Sequence, residues 1–394
     1  MTLFALYLLA CEPKVDDAGG DTAADADTDA DTDTDTDTDT DTDTDTDAPT
    51  PFTLVVATVA SDFSTGQLAT VDGPTRVVTD ALLPTSSDPI VETDSGKVFL
   101  LDRSSENTVR MYAEGDWSAP LVEFSTGDGS NPQDVALCGD VLVVSTLATS
   151  SLGLWDSGTG LSRGTIDLSE WSDDDGSPEA DSIVRGPDGS LYVLLTRLDT
   201  TAYPWSSADG TGRILRVSCD TLDVTADWTT GPNPGLMPHP LDPAKFLLRT
   251  GDYYNADYTA KLDGAVYTFD PVAGTISEPH LTEETLGLNI GAIAGGADHK
   301  AILVADDAYA WGVHCLDLDT WTTTPTAAVD SFIGDVVMGP DATVWVSYRA
   351  GYAGNGAPVV EGLVAWDAAT CTSAAPLTPA FPPYSLALAA SDAR

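Results

Sequence analysis

The chain has 394 residues and a formal charge of -47 at pH 7; its first 50 residues hold fifteen Asp and Glu12 against Lys14, which leaves -32 on the rest. A surface this acidic repels phosphate backbones and anionic headgroups, which excludes DNA, RNA and direct electrostatic membrane binding and favours solubility. No stretch approaches the roughly 18–20 apolar residues of a spanning helix, while a hydrophobic content of 42% is ample for a large core.

Residues 1–10, MTLFALYLLA, form an uncharged apolar run that ends in Leu8-Leu9-Ala10-Cys11, with the small Ala10 where a signal peptidase could cut. The run is short and lacks a basic start. It resembles the lipobox of bacterial lipoproteins. The resemblance implies a signal peptide over 1–10, lipidation of Cys11, and a place in the bacterial cell envelope as an outer-membrane lipoprotein, periplasmic or surface-exposed. Several acyl chains on one residue, at about 0.8 kcal/mol per buried CH₂, make a durable anchor.

Residues 11–51 are dominated by the Asp-Thr alternation from Asp27 to Asp47. The alternation offers no apolar face and would set aspartates side by side in a strand, so it is predicted to be a disordered linker. As a stalk it reaches about 130–140 Å at most. It lacks the glycine and terminal glutamate of a loop that wraps one calcium ion.

From Phe52 to Arg394 the chain reads as seven copies of a four-stranded unit at a spacing of about 45–50 residues, the signature of an all-β, seven-bladed propeller. The clearest copy runs from Ala180 to Thr230, as ADSIV, a GPDG turn, SLYVLLT, GRILRVSCD and DVTADW. Innermost strands are predicted at 87–91, 132–136, 180–184, 290–294, 333–337 and 383–387, with a degraded copy near Gly235. Second strands are near-continuous apolar runs such as KVFLLD, VLVVST and TVWVSY, the pattern of strands packed on both faces. Third strands close on an aspartate, at Asp72, Asp156, Asp220, Asp270, Asp317 and Asp367, which turn chemistry explains without catalysis. The ring starts on a second strand and ends on a first, so the C-terminal strand is expected to complete the N-terminal blade.

Beyond Cys11 there are four cysteines, Cys138, Cys219, Cys315 and Cys371, all at one end of such a ring. An even count in an exported chain suggests two disulfides among three connectivities, with neighbouring blades joined as Cys138 to Cys219 and Cys315 to Cys371. At the other end three long loops, Arg197 to Gly212, Thr250 to Gly264 and Arg349 to Gly362, carry Tyr203, Trp205, Tyr253, Tyr254, Tyr258 and Tyr352. The loop of the sixth blade adds Tyr309 and Trp311. Flat rings among Asp, Asn and Gly suit stacking on a sugar or peptide, or packing over the rim.

The channel mouth is predicted to be lined by Asp88, Gln133, Asp134, Asp181, Asn289, Asp335 and Tyr384. Of these, Asp88, Asp134, Asp181 and Asp335 are candidate ligands for a hard cation, Ca²⁺ above all, with solvated acids around water as the other reading. Asp173-Asp174-Asp175-Gly176 is similar to the first half of a calcium loop, without a glutamate in the matching place. His239, His280, His299 and His314 fall in separate repeat positions and form no zinc or triad motif.

The repeat pattern resembles the seven-bladed propellers of secreted and lipid-anchored bacterial proteins, in look close to NHL and lactonase-type propellers. In lactonase-like members a channel metal activates the substrate. Two functions follow as expectations. The first is a monomeric, non-enzymatic propeller that binds a glycan or protein partner on its long-loop face. The second is a calcium-dependent hydrolase of cyclic esters at the channel mouth.

Overall fold

The computed structural model describes residues 51–104, 106–199, 204–207, 209–252, 254–307, 310–326, 328–350 and 357–390, so the lipidation and linker expectations lie outside the described residues. Seven antiparallel sheets succeed one another as the blades of a closed ring. Blade 1 consists of Phe52–Val59, Gly66–Asp72 and Val78–Thr85, with Pro383–Ala390 as its innermost strand. Blades 2 to 7 begin on the innermost strands Pro89–Asp94, Pro132–Cys138, Ala180–Arg185, Gly235–Pro238, Asn289–Gly295 and Ser331–Met338. The C-terminal strand pairs antiparallel with Phe52–Val59, Val56 opposite Leu386, so the two ends of the ring are locked by one ladder.

Alternation of side chains along a strand explains why the second strands are apolar throughout. In Lys97–Asp102, Val98 and Leu100 pack towards blade 1, whereas Phe99 and Leu101 pack towards blade 3. In Val141–Thr146, Leu142 and Val144 join the core with blade 2, and Val141 and Val143 the core with blade 4. Each blade therefore feeds two cores, and a hydrophobic cluster lies at every one of the blade interfaces. Each fully buried aliphatic side chain contributes about 1.5–3 kcal/mol.

The third-strand aspartates act as turn formers. Asp72 accepts from the Thr75 N–H, Asp156 from Gly158 and Thr159, Asp270 from Val272 and Ala273, Asp317 from Asp319 and Thr320, and Asp367 from Ala369 and Thr370. Blade 4 departs from this pattern. Its strand ends at Val217, and the acceptor is the hydroxyl of Ser218, which takes the N–H groups of Asp220 and Thr221.

The cysteines form two disulfides in the expected pairing, Cys138–Cys219 between blades 3 and 4 and Cys315–Cys371 between blades 6 and 7. They fit a chain that matures in an oxidising compartment. No helix among the described residues is long and apolar enough to cross a membrane. The first disulfide spans 81 residues, so the double substitution Cys138→Ser, Cys219→Ser is expected to cost about 2–4 kcal/mol of stability. Urea unfolding measures it; an unchanged midpoint would mean that the link adds nothing to the packed interface.

Candidate functional site

The innermost strands do not run straight at the end where they start. Their ladders slip between Pro132 and Asp134, Ala180 and Ile183, Ile290 and Ala292, and Ile333 and Val336. A bulge re-aims the side chains beside it. Asp134, Asp181 and Asp335 sit at these places in blades 3, 4 and 7.

The mouth carries a buried polar network that joins blades 1, 2 and 3. Arg103, which follows the second strand of blade 2, donates from Nη2 to Asp88 Oδ1 at 2.5 Å and from Nη1 to Gln133 Oε1 at 2.8 Å. Tyr384 of the closing strand donates its hydroxyl to the same Asp88 oxygen at 2.7 Å, and Ser104 donates to Oδ2 at 2.6 Å. Burial acts to raise the Asp88 carboxyl, but the Arg103 charge and the hydroxyls of Ser104 and Tyr384 outweigh it and hold the group below its ordinary value. Beside this network Arg349 of blade 7 donates to the carbonyls of Val59 and Pro382, both at 3.1 Å, with its guanidinium over the rings of Phe63 and Tyr384. The sequence expectations did not include Arg103 or Arg349.

On the innermost strands of blades 2, 3 and 7, the acids Glu92, Asp134 and Asp335 are buried, and the latter two act on Glu92. Burial, and then the charges of Asp134 and Asp335, push the Glu92 carboxyl well above its usual range. Asp134 is likewise raised, by burial first, although it accepts the N–H of Val135 at 2.5 Å and of Ile183 at 2.6 Å. Asp335 accepts from Val336 and Leu386, both at 2.8 Å. Asp181 is buried at the start of blade 4, and its carbonyl accepts the Ser145 hydroxyl at 2.6 Å.

These contacts bear on the expected channel ion. Asp134 and Asp335 each spend both carboxylate oxygens on backbone N–H groups, and both Asp88 oxygens are held by Arg103, Tyr384 and Ser104. Among the described residues, the acidic set whose ligand atoms lie within 4.8 Å of one another is Asp173, Asp175 and Glu179, just ahead of the innermost strand of blade 4; the four expected ligands form no such set. In this structure Asp88, Asp134 and Asp335 thus serve as acceptors for protein donors at the mouth.

On the long-loop face the structure brings two loops together. Leu198–Asp199 and Ser206–Ser207 form a short ribbon in the blade 4 loop. The Ser207 N–H reaches both oxygens of Asp252 in the blade 5 loop, at 3.2 Å each. Lys261 pairs with Asp252 and, at 3.0 Å, with Asp263. The Asp252 side chain is wholly buried, and burial raises its carboxyl despite Lys261. Around this joint Trp205 and Tyr254 are half-buried and Tyr258 is exposed.

Trp311 is placed differently from expectation. It opens the strand Trp311–Asp317, is buried, and packs edge-on against Phe332 in the core between blades 6 and 7, because the blade 6 loop is shorter than the sequence reading allowed. Tyr203, Tyr253, Tyr309 and Tyr352 lie outside the described residues.

No protein-family model matches the chain, and no curated protein matches it. Solved structures do. A protein from Lactobacillus plantarum is 13% identical with a TM-score of 0.59, over 86% of this chain and 99% of its own. The periplasmic gluconolactonase of Pseudomonas aeruginosa is 15% identical with a TM-score of 0.58, over 86% and 99%. A Bacteroides fragilis protein proposed to be a 6-phosphogluconolactonase is 14% identical with a TM-score of 0.57, over 86% and 98%. At these identities the likeness establishes the fold, a seven-bladed propeller with lactonase-like neighbours.

Removing Arg103 leaves Asp88 buried without its counter-charge, so Arg103→Met is expected to cost about 3–5 kcal/mol near neutral pH. Because the folded Asp88 carboxyl lies below its ordinary value of 3.8, the pair's contribution is complete above that value and is lost as the pH falls through the lowered one. Denaturant unfolding of both proteins at pH 7 and pH 3 measures this; a gap that does not narrow in acid would overturn the assignment.

Proposed function

We propose that the chain is an exported, non-enzymatic binding propeller, lipid-anchored through Cys11 to a bacterial envelope, that takes a glycan or protein partner on the face made by the long loops of blades 4 and 5. The observation that carries this reading is the buried Asp252, which ties the two loops into one surface. A surface ordered before its ligand arrives avoids part of the entropy cost of binding. Trp205, Tyr254 and Tyr258 supply rings there, and the acidity of the chain argues against polyanionic partners. The two disulfides and the Leu8-Leu9-Ala10-Cys11 run support export.

Retention on isolated peptidoglycan and on a panel of neutral oligosaccharides tests the face. Trp205→Ala and Tyr258→Ala are each expected to weaken retention by roughly fivefold, about 1 kcal/mol per lost ring contact, with unchanged melting temperature. Unaltered retention by both variants would remove the face from consideration.

A second reading, hydrolysis of a small cyclic ester at the channel mouth, draws on the lactonase-like neighbours and on the Asp88, Arg103 and Tyr384 network. Its calcium-dependent form meets the difficulty that Asp88, Asp134 and Asp335 are already engaged by protein donors. This reading expects glucono-δ-lactone to open faster in the presence of the protein and the effect to fall in Tyr384→Phe. A rate equal to that of buffer alone would leave the binding reading by itself.

A further inference from the structure

The crossing from blade 3 to blade 4 passes through Asp173-Asp174-Asp175-Gly176-Ser177-Pro178-Glu179. One oxygen of each of two aspartates builds the turn: Asp173 Oδ1 accepts the Asp175 N–H at 3.1 Å, and Asp175 Oδ1 accepts the Ser177 N–H at 3.0 Å. Gly176, at a φ of 92°, lets the chain reverse there. The loop then brings Glu179 back to the aspartates, so that one ligand oxygen from each of Asp173, Asp175 and Glu179 lies within 4.8 Å of the others.

The second observation is independent of that turn. Glu179 is 0% exposed, and no donor reaches either of its carboxylate oxygens in good hydrogen-bond geometry, although the Ser177 hydroxyl and the Asp175 carboxyl stand beside it; Asp173 Oδ2 is also buried without a well-placed donor. Burying a carboxylate is costly unless something compensates it. The nearby cation, Arg197, acts through its charge on Asp173 but directs its hydrogen bonds to Asp209 at 2.8 Å and to the Thr211 hydroxyl at 2.7 Å. Burial, followed by the charges of Asp175 and Asp173, pushes Glu179 up to about 9.

We propose that Asp173, Asp175 and Glu179 form a calcium site at the crossing from blade 3 to blade 4. All-oxygen, carboxylate-rich donors suit a hard cation, and Ca²⁺ tolerates the irregular geometry of a loop better than Mg²⁺, which demands a near-ideal octahedron. No thiolate or imidazole belongs to the set, which argues against zinc. The remaining ligands would be water and backbone carbonyls.

The test follows thermal unfolding of the full chain, stripped with EDTA and titrated with Ca²⁺. A native-state site makes the melting temperature rise continuously with Ca²⁺ above its Kd. Association of Ca²⁺ with the Asp-Thr stretch that is equal in the native and unfolded chain leaves it unmoved. Glu179→Gln is expected to abolish the rise and to melt in EDTA no lower than the parent, since the amide replaces a buried carboxyl that its surroundings already keep from ionising when no ion is bound. The double variant Asp173→Asn, Asp175→Asn repeats the loss should Glu179→Gln fail to fold, and Asp181→Asn in the channel keeps the rise. A melting temperature indifferent to Ca²⁺, or a rise that survives loss of the loop carboxylates, would overturn the site.

Discussion

A ring of blades leaves one edge of every innermost strand without a sheet partner. Those edges face the channel, and their N–H groups need acceptors there. Neighbouring blades supply them. Asp134 takes the Ile183 N–H, Asp335 takes Leu386, Glu283 takes Ile290 at 2.7 Å, and the Ser385 hydroxyl takes Val91 at 3.2 Å. Leaving such a donor unsatisfied costs about 1–3 kcal/mol, so side chains that reach across the interface serve closure as much as the apolar cores do. The acidity of the channel wall follows from this need for acceptors.

Much of the ring was legible because a strand buried on both faces must be apolar throughout and because a tight turn favours a side-chain acceptor at its start. Both signals are local. They weaken where the structure substitutes one device for another. In blade 4 the turn acceptor is Ser218, two residues ahead of the expected Asp220. In blade 5 the innermost strand shrinks to Gly235–Pro238, and the link to blade 6 comes from Glu283 on the short helix Glu283–Leu286.

The candidate site was less legible, since repeat position says where a residue lies and not which way its side chain turns. The columns located Asp88, Asp134 and Asp335 but could not show them turned to protein donors. Arg103 and Arg349 carry a signal in the sequence: with 16 Lys and Arg in the chain, Arg103, Arg197, Arg249 and Arg349 all fall within two residues of the end of a second strand. Trp311 reads as a loop residue because aromatic character alone does not separate a strand start from a loop tip. Glu179 escapes notice when its place is judged by the spacing of a helix-flanked calcium loop, whereas here the following strand brings it back.

The acidic crossing and the aromatic loops are physically continuous. The Glu179 carbonyl accepts the Thr196 N–H at 3.1 Å, and the Pro178 carbonyl accepts that of Arg197 at 3.3 Å, so the base of the blade 4 loop hangs on the crossing. The Thr196 carbonyl in turn accepts the Ser207 hydroxyl at 3.2 Å, and the Ser207 N–H reaches Asp252. Each step is a backbone-anchored hydrogen bond. One run of hydrogen bonds thereby joins the crossing at Glu179 to the backbone beside Trp205 and on to the blade 5 loop.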